Sequence, residues 1–540
     1  MAALHNISEN DYDLILIGSG MGALTVASLM ARLRDKRVLV LEKHNRPGGY
    51  THDFKRGRYH FDTGLHYLGQ MQKGSMTRRM FDLITDGKVE WTRMPDPFDT
   101  FVYPDLRFDV YADLNHTIAA LCALYPREVR AIRGYFRDAK KAAASLAMQM
   151  NRRNAWPVMR GISAVARTIL RQPLGLTTKT YLDTHFKDPQ LKALLVSQWG
   201  NYGLPPGLSP FGLHGMIVNF YSKGGFYPSG GSGTIADSVK EIVERRGGRL
   251  LLRREVTSIL IRDGRAVGVR TKKAGTGDSP GEEEYRAPAI VSNAGALETY
   301  LKLVPPGQPI GFRTDLERFV RNHPPTTNLT LFVGFSRDPR ELGLNGANIW
   351  IYDGLDHDSI FAERGGWLES GQPRSVYISF HSLKDPEASA HSAEILSFTD
   401  YAFFSRWSNQ PWNQRDTAYK KSKERIAEAM IGFVDRFFPG FGDIIAYREL
   451  GTPLTNEHFT GHYQGATYGL RSVSERFVPT NIAWTHPKTP VPGLYLTGAD
   501  VAGLGVTGAM MGGFMCLGHL PDGLRMPSMV RAASRYRSSL

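Results

Sequence analysis

The first 42 residues constrain this chain more than any other stretch. An apolar run, Tyr12–Ile17, ends in Gly18-Ser19-Gly20-Met21-Gly22-Ala23. Residues 24–34 then carry Ala, Leu, Met and Arg at helical spacing, and Arg37–Leu41 reads as a second strand closed by Glu42. Strand, glycine turn, helix and strand make a βαβ unit of about 30 residues. In such a unit Gly18 turns the chain tightly and Gly20 lets the backbone approach a pyrophosphate. Ala23 keeps helix and strand close, where a third glycine is often found. The helix start offers unpaired N–H groups and a positive dipole end to phosphates. Glu42 suits ribose hydroxyls and repels a 2′-phosphate. A glycine triplet alone is weak, and a helix-capping turn in another α/β protein would produce one. In register with two strands and a terminal acid it is a strong dinucleotide signature.

The rest of the chain divides by texture. At 540 residues two or more domains are expected. Residues 224–271 repeat the α/β pattern: a glycine-rich entry, a helix over 235–245, and strands at 250–252, 256–261 and 266–271. Asp263-Gly264 reads as a hairpin turn. Another short buried strand is expected over 288–293. Residues 81–220 contain helical segments with many aromatic and basic side chains. Residues 310–450 mix strands (329–335, 349–352, 376–380) with a helix over 421–438. Cys122 and Cys516, the two cysteines, are far apart and in no metal-ligand spacing. A disulfide framework is excluded, no metal site is expected, and redox chemistry must come from a bound cofactor.

Two further turns bear on which dinucleotide is bound. Arg46-Pro47-Gly48-Gly49-Tyr50 can pass beneath a flavin. Near the other end, residues 492–500 read as strand, turn and acid, and a glycine-rich helix start follows over 503–513. Asp500 is placed to bond a ribityl hydroxyl. The helix N-terminus near Val506 and Thr507 is placed to stabilise a reduced flavin's pyrimidine edge. Gly503 to Gly508 also spells the triplet, but no strand runs into it and no acid-tipped strand follows. One dinucleotide site is expected, with no separate nicotinamide domain.

On these residues the chain resembles the phytoene desaturase, carotenoid isomerase and retinol saturase group of flavoproteins, and within it the retinol saturase branch. The likeness rests on residues 17–49, on Phe61-Asp62-Thr63-Gly64-Leu65-His66-Tyr67-Leu68-Gly69, on 224–232 continuing to 291–295, and on 452–456 through Tyr468-Gly469 to the Asp500 block. The resemblance implies FAD and an α/β fold. A Rossmann-type FAD-binding domain (glutathione-reductase-like and amine-oxidase-like) over 1–80, 221–300 and 480–520 would be interleaved with an α+β substrate domain over 81–220 and 301–479. It further implies that the backbone of Val256 meets the adenine and that Gly48, Gly49 and Tyr50 neighbour the flavin. Cofactor contacts are therefore expected at Gly18, Gly20, Met21, Gly22, Ala23, Glu42, Lys43, Gly48, Gly49, Tyr50, Val256, Asp500, Val506 and Thr507. The implied activity is redox chemistry at C=C or C–C bonds of a long apolar polyene, a retinoid or carotenoid. Saturation leads, with desaturation or isomerisation as alternatives. NAD(P)H would serve only as an external reductant.

His66, Tyr67 and Tyr468 are the candidate catalytic residues. His66 is the proposed proton donor because its ordinary pKa lies near neutral; a hydrogen-bonded packing histidine is the bland alternative. Residues 139–182 carry eight basic side chains and no acid, interleaved with Met148, Trp156 and Ile169. With a net charge of +14, this stretch is expected to contact an anionic membrane, or else to be a helix pair with a solvated basic face. A peripheral enzyme on the cytoplasmic side is expected, with no signal peptide or spanning helix. No nucleic-acid motif accompanies the charge. Residues 521–540 read as a basic tail. Two rivals are a flavin amine oxidase and a flavin-free escort protein on the same scaffold.

Overall fold

The computed structural model describes residues 12–151, 175–274, 282–478 and 480–536. The strand Leu14–Ile17 is buried on both faces, as parallel sheets require. It pairs in parallel with Val38–Leu41 on one side and Ile290–Ser292 on the other. Arg249–Leu251 and Leu494–Leu496 complete a five-stranded parallel sheet. Side chains alternate along the two central strands. Leu14, Leu16, Val38 and Val40 pack under helices Met21–Arg34, Met76–Thr85, Gly233–Arg245 and Gly505–Leu517, while Ile15, Ile17, Leu39 and Leu41 enter the core on the opposite face.

A second, seven-stranded sheet lies across the cleft. Its order is 445–451, 327–335, 392–399, 375–379, 348–352, 99–103 and 106–110. The pairing is antiparallel apart from the parallel contact of Asn348–Tyr352 with Asp99–Tyr103. Leu329, Leu331 and Val333 pack under helix Thr417–Asp435, so Asn328 and Thr330 project from the other face.

Residues 81–220 hold the expected helical segments and, besides them, strands that the sequence reading did not place: Trp91–Arg93, Asp99–Tyr103 and Leu106–Val110, the last two joined at Pro104-Asp105. Residues 81–89 pack in the layer over the parallel sheet, through Phe81, Leu83, Ile84 and Val89, and not with the substrate-side elements. The tail is no loose basic strand either. Met526–Arg535 is a helix that buries Met529 and Ala533, and Arg79 donates to the Ser534 carbonyl from helix Met76–Thr85.

Part of the basic segment is described, and there it packs as one of the two expected alternatives, a helix against a helix with Lys140 and Lys141 exposed. Helix Val129–Asn151 places Ala139, Ala142 and Leu146 in the core against Phe211–Phe220. A Cβ on Gly215 would lie 2.3 Å from the Ala139 carbonyl oxygen. Met148 and Met150 are half-buried. Residues 152–174, which hold most of the expected membrane-contact segment, lie outside the described residues.

Candidate active site

A cleft of about 490 Å³ runs from the first glycine turn to the seven-stranded sheet. Ser19 organises its mouth. Its N–H and hydroxyl both donate to Glu42 Oε2, at 2.9 and 2.6 Å, and its Oγ accepts from Gly48 N–H at 2.9 Å. Glu42 Oε1 accepts from His44 N–H at 2.8 Å. Ser19 and His44 therefore meet on one carboxylate, and Gly48 joins them through Ser19. Gly48 and Gly49 carry φ of 119° and 58°, which permits this turn, and a Cβ on Gly49 would sit 3.1 Å from Gly20 Cα. Tyr50 ties the turn to the far wall by donating to the Ala466 carbonyl at 3.1 Å.

Of the expected cofactor residues, Gly18, Gly20, Met21, Glu42 and Lys43 line the cleft, as do Gly48, Gly49, Tyr50, Val256, Asp500 and Val506. Gly22, Ala23 and Thr507 do not. Ala23 is fully buried in the layer beside the sheet. Gly22 is a packing position: a Cβ there would meet Gly498 N at 2.5 Å. Gly512 and Gly513 make the same crossing from the other side, with hypothetical Cβ atoms 2.2 Å from Gly498 O and 2.7 Å from Gly22 O. Helices Met21–Arg34 and Gly505–Leu517 thus touch backbone to backbone. Gly20 is demanded from within as well, since a Cβ would lie 2.5 Å from Asn293 Nδ2.

Asp500 serves first as a clamp. Its two oxygens accept from Ala296 N–H and Leu470 N–H, each at 2.9 Å, and Arg476 lies 3.5 Å from Oδ1. Arg476, which sequence reading missed, also donates to the Asp500 carbonyl at 2.8 Å. No motif marked it.

The cleft fits a dinucleotide. Two helix N-termini reach its wall, and neither has a side-chain cap or an acid in its first turn. Asn293 Oδ1 and Thr497 Oγ1, on cleft-lining residues, are buried without a hydrogen-bond partner among the described residues. Buried polar atoms of this kind ordinarily have partners, and a ligand rich in hydroxyl and amide groups would supply them.

The candidate catalytic residues separate. Tyr67 turns away from the cleft: its hydroxyl donates to Asp99 Oδ2 at 2.9 Å, and its ring stacks on Tyr221 with centroids 4.3 Å apart. Tyr468 lines the cleft and donates to the Gly200 carbonyl at 2.9 Å. His66 also lines the cleft, but burial holds its pKa down at about 3, so the near-neutral titration expected of it is overturned. Its Nδ1 lies 3.1 Å from Glu394 Oε2, without the alignment of a good hydrogen bond.

Behind His66 stands a set of buried ionisable groups that sequence reading also missed. Lys384 Nζ donates to Asn348 Oδ1 (2.5 Å), Ser379 Oγ (2.8 Å) and the His66 carbonyl (3.1 Å), and burial lowers its pKa to about 7. Burial raises Asp99 to about 6 although Asn348, Gln198 and Tyr67 donate to it. Burial likewise raises Asp62, which accepts from Tyr227 and from Ser232 N–H and Oγ. A lone acid between Ala393 and Ile395 was the one available signal for Glu394.

The family described as flavin containing amine oxidoreductase matches residues 24–515. An all-trans-retinol 13,14-reductase of Danio rerio is 32% identical over 531 residues, covering 94% of this chain and 85% of its own length. Prolycopene isomerase 2, chloroplastic, of an Oncidium hybrid cultivar is 27% identical, covering 94% and 83%. The solved cyclohexylamine oxidase from Brevibacterium oxydans superposes with a TM-score of 0.57 at 15% identity, over 97% of this chain and 98% of that one.

Proposed function

The chain belongs to the flavin containing amine oxidoreductase family, and from that premise we propose that it is an FAD-dependent reductase of one C=C bond in a long apolar polyene of the retinoid or carotenoid class. One observation carries the reading. The cleft that begins at the glycine turn continues to a wall built from Leu297, Leu303, Val320, Pro325 and Leu396. Such a surface suits a hydrocarbon chain. The relatives named all-trans-retinol 13,14-reductase support the substrate class.

In this reading Glu42 accepts from the adenosine ribose, and the uncapped helix starts at Gly20 and Leu504 face the pyrophosphate and the flavin pyrimidine edge. Gly48 to Tyr50 pass beside the ring. When bound, the flavin supplies hydride transfer at N5. The chain's own work is to hold the polyene against the ring, exclude water and deliver one proton, and His66 is the group at the wall for that proton.

The decisive experiment is anaerobic. Photoreduced, flavin-loaded enzyme is mixed with all-trans-retinol or with a carotene, and flavin reoxidation is followed in the visible. Reoxidation with loss of polyene absorbance is expected. Peroxide on adding amines, with no change in polyene absorbance, would replace this reading with an amine oxidase. Isomerisation is the second reading, supported by the prolycopene isomerase relatives. It would change the polyene spectrum while leaving the flavin reduced.

A further inference from the structure

Strand Ser392–Thr399 alternates its side chains. Ala393 and Ile395 lie in the core beneath helix Thr417–Asp435, so Glu394 and Leu396 project toward the cleft side. Leu396 reaches the cleft wall, whereas Glu394 stops one step behind it, fully buried. Its Oε2 is 3.1 Å from His66 Nδ1 and its Oε1 3.8 Å from His381 Nδ1. Among the described residues neither oxygen has a hydrogen bond of good geometry, the Asp62 N–H being the one backbone donor that approaches, although buried carboxylates ordinarily collect several.

The hydrogen bonds around His381 indicate where protons sit. Its Nε2 lies 2.8 Å from the His60 carbonyl oxygen and 2.9 Å from Ser392 Oγ, and that hydroxyl itself donates to the same carbonyl. A carbonyl only accepts, so Nε2 carries the hydrogen and a neutral His381 presents a bare Nδ1 to Glu394. At 3.8 Å His381 thus gives an ionised Glu394 no donor, whereas the acid form can carry its one proton on Oε2, 3.1 Å from His66 Nδ1.

Resting on the polyene-reductase reading above, we infer that Glu394 is the buried proton reservoir for the reaction, a positioning residue that acts through His66 at the cleft wall. The other titratable groups facing this pocket are Asp62, Asp99, Tyr227, Tyr377, His381 and Lys384. Asp62, Asp99 and Lys384 have hydrogen-bond partners of their own, given above. The shifts agree in direction: burial holds Glu394 up at about 8 and His66 down at about 3, so at neutral pH the proton shared by the pair resides on Glu394.

The step balances as follows. A bound reduced flavin would supply a hydride to one carbon of the double bond, and the other would take the proton of His66 Nε2, which has no protein partner among the described residues. The proton of Glu394 passes to His66 Nδ1. The products are a saturated CH–CH unit, a neutral His66 in its other tautomer, and a Glu394 carboxylate that regains a proton through His66 after product leaves.

The test has two readouts on flavin-loaded protein. Infrared spectroscopy without substrate should show a carboxylic-acid C=O band at neutral pH. That band should be absent in Glu394→Gln and disappear from wild type as pH rises through about 8. In the anaerobic assay, reoxidation by retinol should fall across the same pH range in wild type. In E394Q it should be about 10²-fold slower and lack that pH step. No E394Q-sensitive acid band, or reoxidation of E394Q at the wild-type rate with the wild-type pH profile, overturns the relay alone. Failure of wild type to reoxidise with any polyene overturns the reaction reading, and the relay with it. Should E394Q not retain flavin, the wild-type titration decides, and a band that persists well above pH 8 sinks the inference.

Discussion

At Gly22 a missing side chain lets two helices meet. Its α-hydrogen faces Gly498, and a methyl group there would sit 2.5 Å from the Gly498 nitrogen. Gly22→Ala is expected to cost about 1–3 kcal/mol of stability, read by denaturant unfolding, with a parallel loss of bound flavin because Gly498 flanks Asn293. Glu42 holds the cleft mouth by a different force, accepting three hydrogen bonds from Ser19 and His44. Glu42→Ala leaves the Ser19 and His44 donors without an acceptor, and hydrogen bonds to a charged group are worth about 1.5–3 kcal/mol each. Flavin retention after gel filtration should fall about 10-fold or more. Glu394 makes a prediction about pH. Its pKa is raised on folding from 4.5 to about 8, so the stability it contributes is complete below the unfolded value and is lost as pH rises through about 8. Unfolding free energies of wild type and E394Q, compared from acid to mild base, should show wild type declining relative to the variant. A constant difference would contradict a protonated Glu394.

Among the elements, the opening strand and helix were the most legible. Residues 14–34 carry a complete local pattern, apolar strand, glycine turn and a run at helical spacing, that needs no distant partner to be read. The strands Asp99–Tyr103 and Leu106–Val110 were not legible. Asp99–Tyr103 finds its parallel partner in Asn348–Tyr352, far along the chain, and Leu106–Val110 pairs back on Asp99–Tyr103 at the sheet edge. The C-terminal helix Met526–Arg535 was misread for a related reason. Its arginines suggest a solvated tail, and only its docking on Met76–Thr85 shows that Met529 is core. Met529→Ala should therefore lower stability by about 2–5 kcal/mol in denaturant unfolding. Flavin absorbance should be unchanged, because the residue lies outside the cleft.

For the whole molecule, the two sheets face one another across a single cleft, and each chain end contributes a helix start to its wall. A net charge of +14 predicts attraction to anionic lipid, the membrane contact expected from the sequence. No helix among the described residues is long and apolar enough to cross a membrane. Co-sedimentation should show binding to anionic vesicles that weakens as salt rises, and little binding to neutral ones. Equal binding to both would leave the charge without this role. What the sequence by itself determined is the dinucleotide frame: Gly18, Gly20, Glu42 and the paired strands follow from periodicity and turn chemistry within some 30 residues. Which side chains face the substrate was decided only in three dimensions. His66 and Tyr67 are adjacent, yet one lines the cleft and the other bonds Asp99 on its far side. The Glu394 carboxyl meets His66 only because a strand from late in the chain packs against a turn from early in it. Burial then moves their protons, and a protonation state set by surroundings cannot be read from residue order.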